Sequence, residues 1–255
     1  MSLSEQTIFN NLVLGWFILA AATFVLLFFI TAPYGRYSRN SWGPTMDNRL
    51  GWLVMEAPAP LAFAVFFLLG GNPVTLATVA LFLMWEAHYI HRAFIYPFSL
   101  HGQTRRMTII VVAVAFIFNA VNGYLNGRYI FTLSDGYSGS WLGDARFIIG
   151  LLLFIAGFVI NRRADLALRS LRRPGEGDYK IPYGEMYRWI SCPNYLGEIL
   201  TWVGWAVATW SLPGLAFAVW TMANLVPRAK SHHRWYHENF AGYPPERKAL
   251  LPWLW

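Results

Sequence analysis

Ionisable side chains interrupt several stretches of the sequence that are otherwise almost entirely apolar. They are Glu56, Glu86, His88, His91, Arg92 and Glu198. A charged group inside hydrocarbon costs about 2.5–3.5 kcal/mol, so each one marks a functional site unless it is paired for packing. A rise of about 1.5 Å per residue puts four residues in one layer, about 9–14 Å from the cytoplasmic ends of their helices: Glu56, Tyr89, Arg92 and Glu198. The sequence therefore predicts a buried polar pocket, to which Asn119 and Asn122 add polarity from a further apolar run.

A basic segment at residues 161–189 is expected to border this pocket. It carries seven Lys and Arg together with Asn161, Asp165 and Tyr179. Arg forks suit phosphate groups and carboxylates suit sugar hydroxyls, so the segment can bind a nucleotide. The alternative is that its cations only face anionic lipid headgroups. A nucleotide would be held without a Rossmann or P-loop cradle, because neither glycine-rich motif occurs in the sequence.

The histidines raise the question of a metal site. His88 and His91 stand three residues apart, and His232, His233 and His237 form a second cluster. Membrane di-iron hydroxylases use larger sets of histidines than the six in this chain. The chain also lacks the Cys and His spacing of a zinc site, so we expect no metal.

The composition indicates a membrane protein. Of the 255 residues, 56% are hydrophobic and 13% are charged, whereas soluble domains carry about 25% charged residues. Aromatic residues reach 18%, which suits interfacial aromatic belts. These values exclude a soluble enzyme and a disordered chain. A disulfide-stapled secreted domain is excluded as well, because the single Cys192 can form no internal disulfide.

The apolar runs predict an all-α membrane bundle of seven transmembrane helices in a single domain, residues 1–255. The predicted spans cover residues 11–32, 50–70, 73–98, 107–127 and 147–160, and a long run at residues 190–227 that we divide at Pro213 and Gly214. The polar residues that could do chemistry are thereby assigned to the second, third, fourth and sixth spans. The basic segment at residues 161–189 becomes a loop.

The distribution of Lys and Arg predicts the orientation of these spans. With the N-terminus outside and the C-terminus cytoplasmic, 17 of the 20 cations fall in cytoplasmic segments, as the positive-inside rule requires. The net charge of +7 is then explained without nucleic acid. We expect a multi-pass protein of a bacterial inner membrane or of the endoplasmic reticulum.

Several motifs resemble those of one family, the steroid 5-alpha-reductases, and within it most closely the type-2 enzyme. The strongest block is Asn194-Tyr195-Leu196-Gly197-Glu198, followed by residues 208–213. The match continues at residues 172–176 and 179–182, and in the tail at residues 228–229, 232–236, 243–244 and 247–250. Residues 55–58 and 88–96 are similar to the substrate-side motifs of that family.

The resemblance implies seven helices around a cavity in which NADPH lies beside a steroid or sterol-like enone. Glu56 and Tyr89 would bind the 3-oxo group, and acid assistance there would promote hydride transfer to C5 of a Δ4 steroid. Residues 1–127 would form the substrate side and residues 145–255 the cofactor side. The implied cofactor-binding residues are Asn161, Asp165, Arg172, Tyr179, Lys180, Asn194, Glu198, Arg228, His232 and Tyr236. Membrane lipid is the other expected partner, and no obligate protein partner is evident.

This chain departs from the family pattern at two positions. Met55 stands where a Gln commonly precedes the Glu, which removes a polar contact near the substrate. Lys180 replaces an Arg, which keeps the charge and loses the planar fork. Substrate identity and cofactor affinity are the properties that these changes affect.

Two other classes of function remain as alternatives. An integral-membrane methyltransferase of the isoprenylcysteine type, using S-adenosylmethionine, shares parts of the tail motifs. It would not need an acid pair at a carbonyl or several Arg at a 2′-phosphate. A non-enzymatic lipid-binding protein would not need the basic segment.

Overall fold

The computed structural model describes residues 3–31, 43–99, 106–171 and 179–255. Within these ranges the chain forms eight α-helices and one small antiparallel sheet. The helices are α1 (Leu3–Phe29), α2 (Asn48–Glu56), α3 (Pro58–Leu69), α4 (Leu76–Ile90), α5 (Ile109–Arg128), α6 (Ala145–Ser170), α7 (Pro193–Thr209) and α8 (Leu212–Asn239). The strands are β1 (Thr45–Asp47) and β2 (Arg106–Thr108), with Thr45 opposite Thr108.

Helices α2 and α3 follow each other with only Ala57 between them. The backbone N–H of Ala57 still donates to Leu53 O at 3.0 Å, and Leu61 N–H donates to Ala57 O at 3.2 Å. Pro58 and Pro60 have no N–H to donate, so the helix is interrupted here without ending. Counted as one interrupted helix, α2 and α3 leave seven helices in the described chain, as the apolar runs predict.

Helices α4 and α5 each end in a π-helical turn. The first turn spans His91–Ile95 and the second Tyr129–Leu133. Their closing hydrogen bonds run from Tyr96 N to His91 O at 2.7 Å and from Ser134 N to Tyr129 O at 2.8 Å. A π turn accommodates one more residue than an α turn, which changes the face on which later side chains lie. Arg92 lies inside the first of these turns.

Helices α6 and α7 pack with their backbones in direct contact. Gly150 and Gly157 on α6 face Gly204 and Gly197 on α7, and a Cβ atom at any of the four would overlap backbone atoms of the opposite helix. Small residues allow helices to approach this closely in membranes. The contact fixes which polar residues meet where the C-terminal end of α6 lies against the N-terminal end of α7.

An aromatic cluster fills the space where α3, α4, α7 and α8 meet. Trp85, Trp202 and Trp205 are at most 1% exposed, and Phe63 and Phe217 pack against them. The Tyr89 ring lies one helical turn from Trp85, with a centroid distance of 4.9 Å. The cluster therefore holds the Tyr89 ring rigidly and leaves its hydroxyl to polar partners.

Four helical segments are long and apolar enough to cross a membrane: Glu5–Phe29, Asn48–Leu69, Ile109–Leu133 and Ala145–Ser170. Helices α4 and α7 are 15 and 17 residues long, below the about 20 residues that a perpendicular span requires. Helix α8 has 28 residues but becomes rich in Lys, Arg and His after Pro227. The seven helices are thus present, and spanning by α4, α7 and α8 stays a prediction.

Three predicted boundaries are wrong. Helix α1 begins eight residues earlier than the predicted residue 11, and residues 107–108 belong to β2 instead of to a helix. Helix α6 is 26 residues long and runs to Ser170, whereas residues 147–160 were expected. Its C-terminal end stays helical because Asn161 and Asp165 have hydrogen-bond partners on α7. The first ten residues of the expected loop 161–189 are therefore helix.

The break between the last two helices lies before Pro213 and Gly214, which the sequence interpretation took as the breaker. Trp210 adopts a left-handed conformation with φ of 45°. The Ser211 hydroxyl then caps α8 by accepting the N–H of Gly214 at 3.1 Å. Pro213 lies in the first turn of α8, where its missing N–H does no harm, and α8 continues through Pro227 to Asn239.

Candidate functional site

Tyr89 and Glu56, the two predicted catalytic residues, belong to one buried polar cluster, and Asn119 joins them. The Tyr89 hydroxyl lies 3.5 Å from Asn119 Oδ1. The Asn119 amide donates to Glu56 Oε2 at 3.3 Å and to the Met55 carbonyl at 2.7 Å. Tyr89, Glu56 and Asn119 are 2%, 6% and 5% exposed. One side chain each from α2, α4 and α5 thus meets in this cluster.

Arg92 neutralises the Glu56 carboxylate. Its Nε atom donates to Glu56 Oε1 at 3.0 Å, and its guanidinium carbon lies 5.0 Å from the centre of the Trp52 ring. The Arg92 side chain is 30% exposed, whereas that of Glu56 is 8% exposed. The ion pair therefore connects the buried cluster with a more open side of the protein.

A second group of amides approaches Tyr89 from α5. Asn122 Nδ2 donates to the Tyr89 oxygen at 3.2 Å. Asn126 Nδ2 donates to Asn122 Oδ1 at 3.1 Å, and the indole N–H of Trp205 donates to Asn126 Oδ1 at 2.9 Å. Asn122 and Asn126 are both 1% exposed. Tyr89 is thus held between amides on its two sides.

His88 lies between the Tyr89 cluster and the predicted cofactor side. Its Nε2 atom is 3.5 Å from Glu198 Oε1, and its ring meets those of Tyr89 and Trp202 edge to face. Trp202 Nε1 donates to the same Glu198 oxygen at 3.0 Å. His88 is only 4% exposed. This contact links the substrate-side residues to Glu198.

Four of the predicted cofactor-binding residues form a hydrogen-bonded group where the C-terminal end of α6 meets the N-terminal end of α7. Asn161 Nδ2 donates to Glu198 Oε2 at 3.1 Å and to the Asn194 carbonyl at 2.9 Å. Asn194 Nδ2 donates to Asp165 Oδ1 at 3.3 Å. Their meeting follows from the glycine contact, because Gly157 lies one turn before Asn161 and Gly197 directly precedes Glu198.

The other predicted cofactor-binding residues lie near this group or outside the described residues. His232 Nε2 is 3.0 Å from the Tyr195 hydroxyl, and the Arg228 guanidinium lies 5.7 Å from the Tyr195 ring centre. Tyr236 is buried and stacks on Tyr243 at 5.0 Å. Tyr179 meets the Trp235 ring, and Lys180 is exposed. Arg172 falls in the range 172–178, outside the described residues.

The C-terminal segment ties the start of α7 to the polar half of α8. Ser191 N–H donates to Lys248 O at 2.8 Å and Cys192 N–H to Ala249 O at 3.2 Å. The Ser191 hydroxyl lies 2.6 Å from His233 Nδ1 and 2.7 Å from the Tyr243 hydroxyl. Burial, with positive charge from His237 and Lys248 nearby, lowers the pKa of His233 to about 4.

Neither the remaining ionisable residues nor the resolved cavity adds a second site. Glu86 on α4 has a buried Oε1 atom without a hydrogen-bond partner. A cavity of about 410 Å³ on the outer side of α6, lined by Arg163, Glu185 and Trp189 among others, is not lined by any predicted site residue. Within the described ranges, no group of three or more His, Cys, Asp or Glu is arranged to hold a metal.

Asn126 and Trp205 are the site residues that sequence reasoning missed. The signal was present in the spacing, because Asn119, Asn122 and Asn126 follow one another at three and four residues. That spacing places all three amides on one helical face. Trp205 has no such signal, since one tryptophan among thirteen looks like any other core residue.

Comparison with known proteins identifies the family. The sequence model of the 3-oxo-5-alpha-steroid 4-dehydrogenase family matches residues 105–255. The chain is 41% identical to steroid 5-alpha-reductase DET2 of Gossypium hirsutum over 261 residues, covering 99% of each chain. It is 38% identical to steroid 5-alpha-reductase DET2 of Arabidopsis thaliana over 260 residues, again covering 99% of each.

An animal relative is equally similar. The chain is 39% identical to 3-oxo-5-alpha-steroid 4-dehydrogenase 1 of Bos taurus over 259 residues, covering 100% of both chains. These matches do not support the methyltransferase interpretation, and the expected closeness to the type-2 enzyme stays a prediction. With relatives of this identity matched along their whole length, the chain belongs to the steroid 5-alpha-reductase (3-oxo-5-alpha-steroid 4-dehydrogenase) family of oxidoreductases.

Proposed function

We propose that this protein is an NADPH-dependent membrane enzyme that reduces the Δ4 double bond of 3-oxo-Δ4 steroids to 5α-3-oxo steroids. The observation that carries the proposal is the buried cluster in which Asn119 joins the Tyr89 hydroxyl to the Glu56 carboxylate. The names of the relatives point to the same substrate class. The cluster contains a hydroxyl, that of Tyr89, which can donate a hydrogen bond to the ketone oxygen of the substrate.

Tyr89 is the proposed acid of this reaction. Addition of hydride at C5 of a conjugated enone moves electron density to C4 and to the 3-oxo oxygen. A hydrogen bond from the Tyr89 hydroxyl to that oxygen stabilises the developing enolate, and one such donor is often worth about 3–4 kcal/mol. Protonation at C4 then completes the reduction. The aromatic cluster around the Tyr89 ring excludes water, which strengthens the hydrogen bond.

Glu56 is proposed to orient the acid through Asn119. Its Oε2 atom accepts from the Asn119 amide, which turns Asn119 Oδ1 toward the Tyr89 hydroxyl. Arg92 compensates the negative charge, so the carboxylate can stay ionised next to the site. We place the substrate on the side of residues 1–127, which carry Glu56, Tyr89 and Asn119.

The donor set on the other side fits a nicotinamide dinucleotide. Asn161, Asp165, Asn194 and Glu198 provide amides and carboxylates for the carboxamide and sugar hydroxyls, and His232 and Tyr236 lie on the neighbouring α8. His88 has both ring nitrogens buried without a hydrogen-bond partner in the described chain, which leaves two polar atoms without a hydrogen bond beside Glu198. NADPH, when bound, supplies the hydride. Residues 145–255 are the proposed cofactor side.

Positive charge on the cytoplasmic side suits the phosphates. Arg228 beside Tyr195 and the exposed Lys180 can pair with phosphate oxygens, and Arg172 is the residue we assign to the 2′-phosphate. That assignment predicts a preference for NADPH over NADH.

The cation distribution also supports a multi-pass protein with seven spans, its N-terminus outside and its C-terminus cytoplasmic. The protein would take its substrate from membrane lipid.

The experiment compares the purified parent protein with Tyr89→Phe, a change that removes one hydroxyl and almost no volume. NADPH binding is followed by fluorescence and reduction of a Δ4-3-oxo steroid by chromatography. We expect unchanged NADPH affinity and a loss of turnover of roughly a hundredfold or more, as for other oxyanion donors. Trp141→Phe, which removes an indole hydrogen bond to Ala208 O and none of the hydrogen bonds of Tyr89, is the control.

Three results would contradict the proposal. If Tyr89→Phe reduces the steroid as fast as the parent, the acid is another group. If the parent protein binds the steroid without consuming NADPH, the lipid-binding alternative gains support. Binding of S-adenosylmethionine in place of NADPH would revive the methyltransferase interpretation.

A further inference from the structure

We propose that Asn122 is a positioning residue for Tyr89, and that Trp205 and Asn126 set its orientation. The proposal rests on the role of Tyr89 given above. A phenol hydroxyl has one proton to donate and can also accept. The direction in which Tyr89 donates therefore depends on which atoms its neighbours turn toward it.

Trp205 fixes the direction of the hydrogen bonds from one side. The oxygen and nitrogen of a side-chain amide are interchangeable unless the network decides between them. An indole N–H can only donate, so the atom of Asn126 that lies 2.9 Å from Trp205 Nε1 must be the oxygen. The Asn126 nitrogen then faces Asn122, to whose Oδ1 atom and backbone carbonyl it donates at 3.1 Å.

The same reasoning carries through Asn122 to Tyr89. Because the Asn122 oxygen accepts from Asn126, its nitrogen is turned to the Tyr89 oxygen, 3.2 Å away. Tyr89 must therefore accept a hydrogen bond from Asn122 and cannot donate one to it. Asn122 is 1% exposed, so water does not compete for these contacts.

Asn119 fixes the direction from the other side. Its nitrogen faces two groups that only accept, the Met55 carbonyl and the Glu56 carboxylate, so its oxygen is turned to Tyr89. At 3.5 Å the contact between Asn119 Oδ1 and the Tyr89 hydroxyl is long for a hydrogen bond. The Tyr89 proton is thus directed away from Asn122 and held only weakly, which leaves it available to a ketone oxygen.

Accepting from Asn122 also makes Tyr89 a stronger donor. Hydrogen bonds in series polarise one another, so the Asn122 N–H stabilises the negative charge that grows on the phenol oxygen as its proton is shared. Asn122 is therefore predicted to affect the reduction step through Tyr89 and to leave cofactor binding unchanged. The effect must disappear when Tyr89 has no hydroxyl.

A double-mutant cycle tests this dependence. Asn122→Leu keeps the approximate size and removes the donor, and we expect kcat to fall roughly tenfold or more, the effect of losing one such hydrogen bond. NADPH affinity should stay at the parent value. In the Tyr89→Phe background the same change should have almost no further effect, because coupled residues are not additive. Losses that multiply in the double variant would overturn the proposal.

Trp205→Phe provides a second cycle in case Asn122→Leu does not fold. It keeps an aromatic ring in the cluster and removes only the donor that orients Asn126. We expect a smaller loss of kcat than for Asn122→Leu, again absent in the Tyr89→Phe background. Trp141→Phe, with an equally short indole hydrogen bond at 2.9 Å, should show no loss. Equal losses for Trp141→Phe and Trp205→Phe would contradict a role for orientation.

The outcomes separate this inference from the proposed function. Parent-like turnover of Tyr89→Phe would remove Tyr89 as the acid, and with it the basis of both proposals. A large loss for Tyr89→Phe together with full activity of Asn122→Leu would leave the proposed function standing and overturn only the role of Asn122.

Discussion

The Nε atom of Arg92 lies 3.0 Å from Oε1 of Glu56, and the other carboxylate oxygen faces Asn119. The two halves of one carboxylate therefore serve different partners. Arg92 compensates the negative charge of Glu56. Removing one partner of such a buried ion pair is strongly destabilising. The other carboxylate oxygen of Glu56 accepts from the Asn119 amide and so fixes the orientation of that amide. This arrangement supports the proposed role of Glu56 in orienting Tyr89.

Glu56→Gln is predicted to lower turnover and to keep cofactor binding. The amide leaves Arg92 without a counter-charge and lets Asn119 reorient, so steroid reduction should fall roughly tenfold or more. NADPH affinity should not change, because Glu56 lies on the proposed substrate side. Both quantities are measured on the same purified variant by fluorescence titration and product chromatography.

Glu5→Gln is the matched control. It removes another carboxylate–guanidinium pair, Glu5 on α1 with Arg128, which at 2.6 Å is closer than the 3.0 Å of Glu56 and Arg92. We expect parent-like turnover. If both variants lose activity alike, the loss reflects a missing ion pair in general and the role of Glu56 is not specific.

Gly157→Ala should force α6 and α7 apart. The added Cβ would meet the backbone of Thr201 and Gly197, which cannot move aside as a flexible side chain can. Overpacking of this kind costs about 1–3 kcal/mol, and thermal unfolding in detergent should show the lower stability. NADPH affinity should fall as well, since Asn161 lies one turn further along the same helix.

Gly15→Ala makes the same chemical change on α1, where the added Cβ meets no atom within 4 Å. We expect no loss of stability or of NADPH affinity in this control. Unchanged NADPH affinity of Gly157→Ala would show that the helix contact does not position the cofactor-side residues.

The burial of His233, with His237 and Lys248 nearby, should make stability depend on pH. The pKa of His233 is lowered to about 4 in the fold, from 6.5 in the unfolded chain. The unfolded chain therefore takes up the proton first, so the stabilisation is complete above pH 6.5 and is lost as the pH falls toward 4. Melting temperatures of the parent and of His233→Asn, measured between pH 7.5 and about 5, should converge as the pH falls. A constant difference between the two would refute a role for His233 in this dependence.

The orientation is tested with single cysteines introduced at Ser4 and Glu176 in a Cys192→Ser background. In intact cells, a reagent that cannot cross the membrane should label position 4 and spare position 176. The opposite pattern would reverse the orientation that the Lys and Arg distribution predicts. Labelling after permeabilisation shows that each cysteine is reactive.

The sequence predicts the helices and one layer of the site, because these depend on patterns along the chain. Apolar runs identify the seven helices, and the rise per residue places Glu56 and Tyr89 at similar depth. The helical state of Asn161 and Asp165 was not predicted, since a charged stretch resembles a loop until α7 packs against it. The partnership of Trp205 with Asn126 joins residues 79 positions apart, and no local pattern indicates it.

The π-helical turn at His91–Ile95 makes the spacing around Arg92 sensitive to chain length. Deleting one residue there would restore a regular α turn and rotate the later residues by about 100° relative to Tyr89. A deletion after Arg92 would turn Tyr96 away from the Trp52 ring, which it meets at a centroid distance of 5.2 Å, while every side chain with a role in the site was still present. Natural insertions and deletions should be excluded from this segment even though it lies at the end of a helix, where changes in length are ordinarily tolerated.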